Sequence, residues 1–87
     1  MKRKTREELR TEFYKSVDEG TVTPREAVKR FRRMLGLSQR DFASKFKVSA
    51  RILMAFEQGR GNPTLATLQK MLTSSGLELR VGRKSIM

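Results

Sequence analysis

Apolar residues recur at helical spacing in five stretches, and each stretch opens on a hydroxyl residue suited to capping. In the first, Thr5–Glu19, Leu9, Phe13 and Val17 return every four residues and form one stripe. Thr5 with Glu8 makes a capping box, and Gly20 supplies the stop. The second opens on Thr23-Pro24-Arg25-Glu26, with a cap, a proline at the first helical position and Glu26 to complete the box. Ala27, Phe31, Met34 and Leu35 supply its buried stripe, Arg25, Lys29, Arg30, Arg32 and Arg33 its other faces, and Gly36 its end. Ser38 caps a third helix of about eight residues, with Asp41 at its third position and Phe42, Ala43 and Phe46 inward. After the turn Lys47-Val48-Ser49, Ser49 caps a fourth helix that runs to Gln58 and stops at Gly59, with Leu53 and Phe56 inward. A Gly- and Pro-bearing loop follows, Arg60-Gly61-Asn62-Pro63. Thr64 then caps a fifth helix whose apolar face is Leu65, Leu68, Met71 and Leu72, ending at Gly76.

The pattern changes at Leu77. Leu77-Glu78-Leu79-Arg80-Val81 alternates apolar and polar with period two, the signature of a half-buried strand. A lone strand leaves its peptide groups unpaired, and nothing else in the chain reads as a strand. The simplest partner is the same segment of a second subunit, with Leu77, Leu79 and Val81 at the dimer contact. The reading is therefore an all-α bundle of four to five helices with a short C-terminal strand that pairs in a dimer. Residues 1–20 form a helical extension, 21–76 the main domain, and 77–87 the dimerisation strand and a basic tail.

Charge sharpens this picture. The chain of 87 residues carries a formal net charge of +11. Residues 1–20 hold six Lys/Arg against five Asp/Glu, whereas residues 21–87 hold fourteen against four. The excess sits on the main domain and tail, the footprint of a phosphate binder. A general solubility charge is the plainer reading of the same numbers. The chain has no cysteine and no histidine, which removes thiolate and imidazole chemistry, the commonest bases and most metal ligands. No enzyme activity, metal or cofactor is expected. No apolar run approaches the roughly 18 residues of a membrane span, and no apolar signal segment follows the basic Met1–Lys4. These features predict a cytoplasmic, nucleoid-associated protein.

Two short helices joined by a tight turn, the second capped by Ser49, suit the major groove of DNA. That groove is about 12 Å wide and admits one helix. In such a pair the first residues of the second helix meet base edges. Here they are Ser49, Ala50 and Arg51, with Met54 and Ala55 one turn on. The residues Leu37-Ser38-Gln39-Arg40-Asp41-Phe42-Ala43, Val48-Ser49, Phe56-Glu57-Gln58-Gly59-Arg60 and Asn62-Pro63-Thr64-Leu65 resemble the Cro/CI-type (XRE) helix-turn-helix family over roughly residues 24–76. Two positions depart from that family's pattern. Lys47 stands where glycine is usual in the turn, and Phe42 replaces leucine.

The resemblance implies a lambda-repressor-like fold and assigns roles by position. Gln39 matches a glutamine that binds a DNA phosphate and braces the reading side chains. Ala50, Arg51, Met54 and Ala55 fall at base-contacting positions. Arg40, Ser49, Arg60 and Asn62 fall where the backbone is held. Glu57 matches a glutamate that pairs with an arginine, and Arg32 stands in the matching place. Among these base-contacting positions Arg51 alone has a long donor side chain. It suits two roles, a bidentate reader of guanine O6 and N7 or a phosphate clamp. Gln39 equally suits a plain surface position. Ile52 and Met54 are unusual on a reading helix and fit either a protein interface or, for Ile52, the core.

The segment Ser75–Val81 further resembles the HipB antitoxin group. That resemblance implies a dimer that binds a symmetric operator on double-stranded DNA, represses its own operon and holds a kinase-like toxin. A second class of function is a protein-interaction module with weak or no DNA binding. RNA binding is a third, disfavoured because most of the six aromatic residues fit helix core stripes and not exposed stacking platforms.

Overall fold

The computed structural model describes residues 3–80. They form five α-helices: α1 Arg6–Asp18, α2 Pro24–Met34, α3 Gln39–Lys45, α4 Ala50–Glu57 and α5 Leu65–Thr73. Every helix starts at the hydroxyl residue that the sequence nominates. The side chains of Thr5, Thr23, Ser38, Ser49 and Thr64 each accept the backbone N–H three residues on. Each such bond satisfies one of the amides that a helix start leaves without a partner. At Thr5 the reciprocal bond from the Thr5 N–H to Glu8 completes the box. At Thr23 the observed cap is the single bond from the Glu26 N–H.

The core is one cluster built around α2. Phe13 of α1, Ala27, Val28, Phe31 and Met34 of α2, Phe42 and Ala43 of α3, Leu53 and Phe56 of α4, and Met71 and Leu72 of α5 are all buried. Four phenylalanines carry its centre. Phe31 lies 6.5 Å from Phe13, 6.0 Å from Phe42 and 6.2 Å from Phe46, and Phe42 lies 4.5 Å from Phe46. Such aromatic pairs each contribute about 0.5–1.5 kcal/mol beyond area burial. Val28, absent from the predicted stripe, is fully buried because α2 is covered on two sides, by α1 and by α4.

The N-terminal helix is part of this core. Phe13 is 1% exposed, and the Tyr14 hydroxyl donates to the Ser75 carbonyl at 2.7 Å. Only the second half of α1 packs, since every residue from Arg3 to Glu12 is exposed.

Three apolar positions depart from expectation. Leu9 is 37% exposed, because it lies in the half of α1 that projects past the core. Leu65 is 76% exposed; it is the first residue of α5, whose buried residues, Met71 and Leu72, lie toward its other end. Ile52 is 42% exposed and does not complete the core, a place that Leu53 takes.

The expected strand also needs correction. Among the described residues there is no strand. Leu77–Arg80 continues from α5 without regular structure, and Leu77 and Leu79 pack on this chain's own core. The period-two alternation is real as a burial pattern, with Leu77 and Leu79 half-buried and Glu78 and Arg80 exposed. Its apolar face is covered within one chain. Val81 and the tail Gly82–Met87 lie outside the described residues.

Candidate nucleic-acid interface

The turn between α3 and α4 sets the angle of the candidate reading helix. Phe46 N–H donates to Phe42 O at 3.0 Å, and Val48 N–H donates to Ala43 O at 2.9 Å. Between them Lys47 takes φ +56°, the left-handed conformation. All other positive φ angles among the described residues belong to glycines. A β-carbon in that region costs about 1–2 kcal/mol. The departure from glycine at this position therefore carries a real strain, held by the bonds on either side.

Past the turn, the Ser49 hydroxyl accepts from Ile52 N–H at 3.2 Å, so the oxygen predicted to meet phosphate also caps α4. Leu53, Phe56 and Glu57 face the core. The opposite face of α4 forms a shallow concave surface lined by Arg40, Ala50, Arg51, Met54, Ala55, Gln58 and Arg60. All four predicted base-contact residues lie on it. So do Arg40 and Arg60 of the predicted phosphate set. Three guanidinium side chains thus border a floor of methyl and thioether groups.

Gln58 was missed from sequence. It lies seven residues after Arg51, two helical turns along the same face, so the spacing that joined Arg51 to Met54 and Ala55 also reaches it. Arg60 donates to the Gln58 side-chain oxygen. Gln58 thereby connects the end of α4 to the loop that follows.

Asn62 is placed apart from this surface. It borders a notch with Thr23, Pro24, Arg25, Gly61, Pro63 and Leu68, between the start of α2 and the loop. Arg25 closes that notch by donating Nε to Phe56 O at 3.0 Å. Helix α4 has no basic residue in its own last turn, so Arg25 supplies the cation its carbonyl end favours.

Gln39 is neither a free surface residue nor on the concave surface. Its Nε2 donates to Glu57 Oε1 at 3.3 Å. Glu57 is held on the other side by Arg32 in a bidentate pair, Nε to Oε2 and Nη2 to Oε1, both at 2.8 Å. Arg32 also donates Nη1 to Leu37 O at 2.9 Å, at the residue before the α3 cap. The Glu57 side chain is 2% exposed and that of Arg32 13%. Its hydrogen bond to Glu57 raises the Arg32 pKa above the ordinary value, with the charge of Glu57 adding and burial opposing. The expected Arg32–Glu57 pair is therefore present, and it joins α2, α3 and α4 at one buried point. No buried side-chain nitrogen or oxygen among the described residues lacks a partner.

A protein-family model described as Helix-turn-helix matches residues 28–79, more than half of the chain. The matched stretch begins inside α2 and takes in α3, the turn, α4 and α5. No curated protein matches the chain, and no solved structure does.

Proposed function

The chain belongs to the helix-turn-helix family and is a DNA-binding transcription regulator; from that premise we propose that it acts as a dimeric, sequence-specific autorepressor. The family assignment agrees with the Cro/CI-type resemblance of its motifs.

The observation that carries the reading is the concave surface on α4, where Arg40, Arg51 and Arg60 surround Ala50, Met54 and Ala55. An apolar floor accepts thymine methyl groups, and the surrounding guanidinium groups meet guanine edges and phosphates. Arg51, on the helix itself, is the base reader. Arg40 and Arg60 flank it and hold the backbone, with Ser49 at the helix start and Asn62 on the adjoining loop. Gln39 acts from below as a brace, because its amide is fixed to Glu57. In a two-fold dimer the two α4 helices would enter successive major grooves about one DNA turn apart.

The finer role, antitoxin of a toxin–antitoxin operon that holds a kinase-like toxin in the cytoplasm, follows from the resemblance of Ser75–Val81 to the HipB group. Co-purification with the product of the neighbouring gene tests it.

The exposed Ile52 beside the reading face favours one second reading, a protein-interaction module. A titration against promoter DNA at several salt concentrations separates the two. A binding regulator loses affinity linearly on a log–log plot, with a slope of about −0.9 per phosphate neutralised. No retention at low salt would favour the interaction module.

A further inference from the structure

The face of α1 that packs on α2 changes character along its length. Phe13 is buried in the core, and Arg6 stands seven residues ahead of it, two helical turns along the same face. Where the core stops, that face therefore carries a guanidinium in place of an apolar side chain. The group lies over the turn that ends α2. A β-carbon at Gly36 would stand 2.7 Å from Arg6 Nη2, and Gly36 takes φ +70°. Glycine thus leaves the space that the guanidinium fills. Gly36 N–H donates to Arg33 O at 3.0 Å, and Ser38, two residues on, caps α3. The N-terminal helix accordingly sets a cation at the corner between α2 and α3, four residues before Arg40 of the concave surface.

Residues 1–20 are close to neutral as a whole, but several of their acids are engaged elsewhere. Glu12 holds Lys4 at 2.7 Å, Glu19 pairs with Lys15 at 3.9 Å, and Glu8 closes the Thr5 cap. Among the described residues no carboxylate pairs with Arg6, with Arg33 in the last turn of α2 or with Arg40 in the first turn of α3. All three residues are exposed. Helix α2 already has Arg32 and Arg33 in its last turn, so its carbonyl end does not need a further cation.

We propose that Arg6 is a further contact to a DNA phosphate, by which the N-terminal helix extends the footprint of α3 and α4 along the backbone. The inference rests on the DNA-binding reading above and adds a residue outside the helix-turn-helix match of residues 28–79. The chain from Gly36 to Arg40 spans at most about 14 Å. One strand of B-DNA carries a phosphate for about every 3.4 Å of helix axis, so a backbone that Arg40 grips presents neighbouring phosphates within that reach. Arginine suits the place, since its planar fork meets a phosphate bidentately. Contacts of this kind set register and affinity and carry no base preference.

The test is a fluorescence-anisotropy titration of the full chain over a series of salt concentrations, with circular dichroism to verify the fold. The probes are two duplexes, one selected from a random library and one scrambled. Arg6→Gln should weaken binding to both duplexes by the same factor and make the log–log salt slope shallower by about 0.9 for each bound subunit. Arg6→Lys, which keeps the charge, should keep the parent's slope. An unchanged slope for Arg6→Gln overturns the proposal and leaves the DNA-binding reading intact. A loss of affinity shared by Arg6→Gln and Arg6→Lys at an unchanged slope does the same, since it assigns Arg6 to packing over Gly36. A loss confined to the selected duplex also overturns it, by making Arg6 a base reader. A parent that binds neither duplex at low salt overturns both readings.

Discussion

Replacing Arg32 with methionine removes three hydrogen bonds and strands a carboxylate. Glu57 would keep only the 3.3 Å bond from Gln39, in a position where its side chain is 2% exposed. Leu37 O would lose the 2.9 Å bond that anchors the chain ahead of α3. Removing one partner of a buried pair costs about 3–5 kcal/mol. The 13% exposure of Arg32 admits some solvent, so about 3 kcal/mol is the expected loss. A domain of this size holds about 5–10 kcal/mol in total, so Arg32→Met should bring the chain close to its unfolding threshold. Urea denaturation followed by circular dichroism measures this, as a fall in the midpoint with little change in slope. The double variant Arg32→Met/Glu57→Leu should recover most of the loss, since an apolar pair replaces a buried ionic one at little cost. That double variant should still bind DNA weakly, because Gln39 would have lost its anchor. A cost below about 1 kcal/mol for the single variant would refute the reasoning, for it would mean that Glu57 is solvated without Arg32.

Two further perturbations test the architecture. Lys47→Gly should stabilise the fold by about 0.5–1 kcal/mol, the left-handed strain at φ +56° less the extra unfolded-state freedom of glycine; a rise of several degrees in the thermal midpoint is expected, and a fall would contradict it. Tyr14→Phe should cost about 1 kcal/mol by removing the 2.7 Å bond to Ser75 O, and an unchanged midpoint would mean that the bond to the end of α5 carries no net stability.

Much of the architecture is legible in the sequence because helix starts are local events. A hydroxyl three residues before an amide donor needs no tertiary context, and Thr5, Thr23, Ser38, Ser49 and Thr64 all cap as their neighbours dictate. Lys47 is legible for the same reason, since a tight turn at that position demands left-handed backbone whatever residue occupies it. Burial is less legible, because periodicity gives a helix its apolar stripe but not how far a neighbour extends along it. Leu9 and Leu65 belong to such stripes and are exposed because they lie where packing stops. Val28 lies off the stripe and is buried because α2 is covered from two directions.

The C-terminal segment shows the opposite limit. Its alternation is read correctly as one buried and one exposed face, but a single chain supplies the burial, and a side-chain amide from Gln69 takes the place of a strand. No spacing rule connects a glutamine in a helix to a peptide eight to ten residues later. Gln58 was within reach of the helical spacing and lines the concave surface of α4 with Arg51 and Arg60. The tie from Gln39 to Glu57, by contrast, depends on the buried ion pair that joins three helices.

The central claim is that the outer face of α4 reads DNA through Arg51. The most direct measurement is a fluorescence-anisotropy titration of the parent and Arg51→Ala against a duplex selected from a random library. The parent should bind the selected duplex in preference to scrambled DNA. The variant should lose about 1–3 kcal/mol on the selected duplex, a factor of roughly 5 to 150, with much less lost on scrambled DNA. Equal affinity of parent and variant for the selected duplex, with base preference unchanged, would contradict the claim.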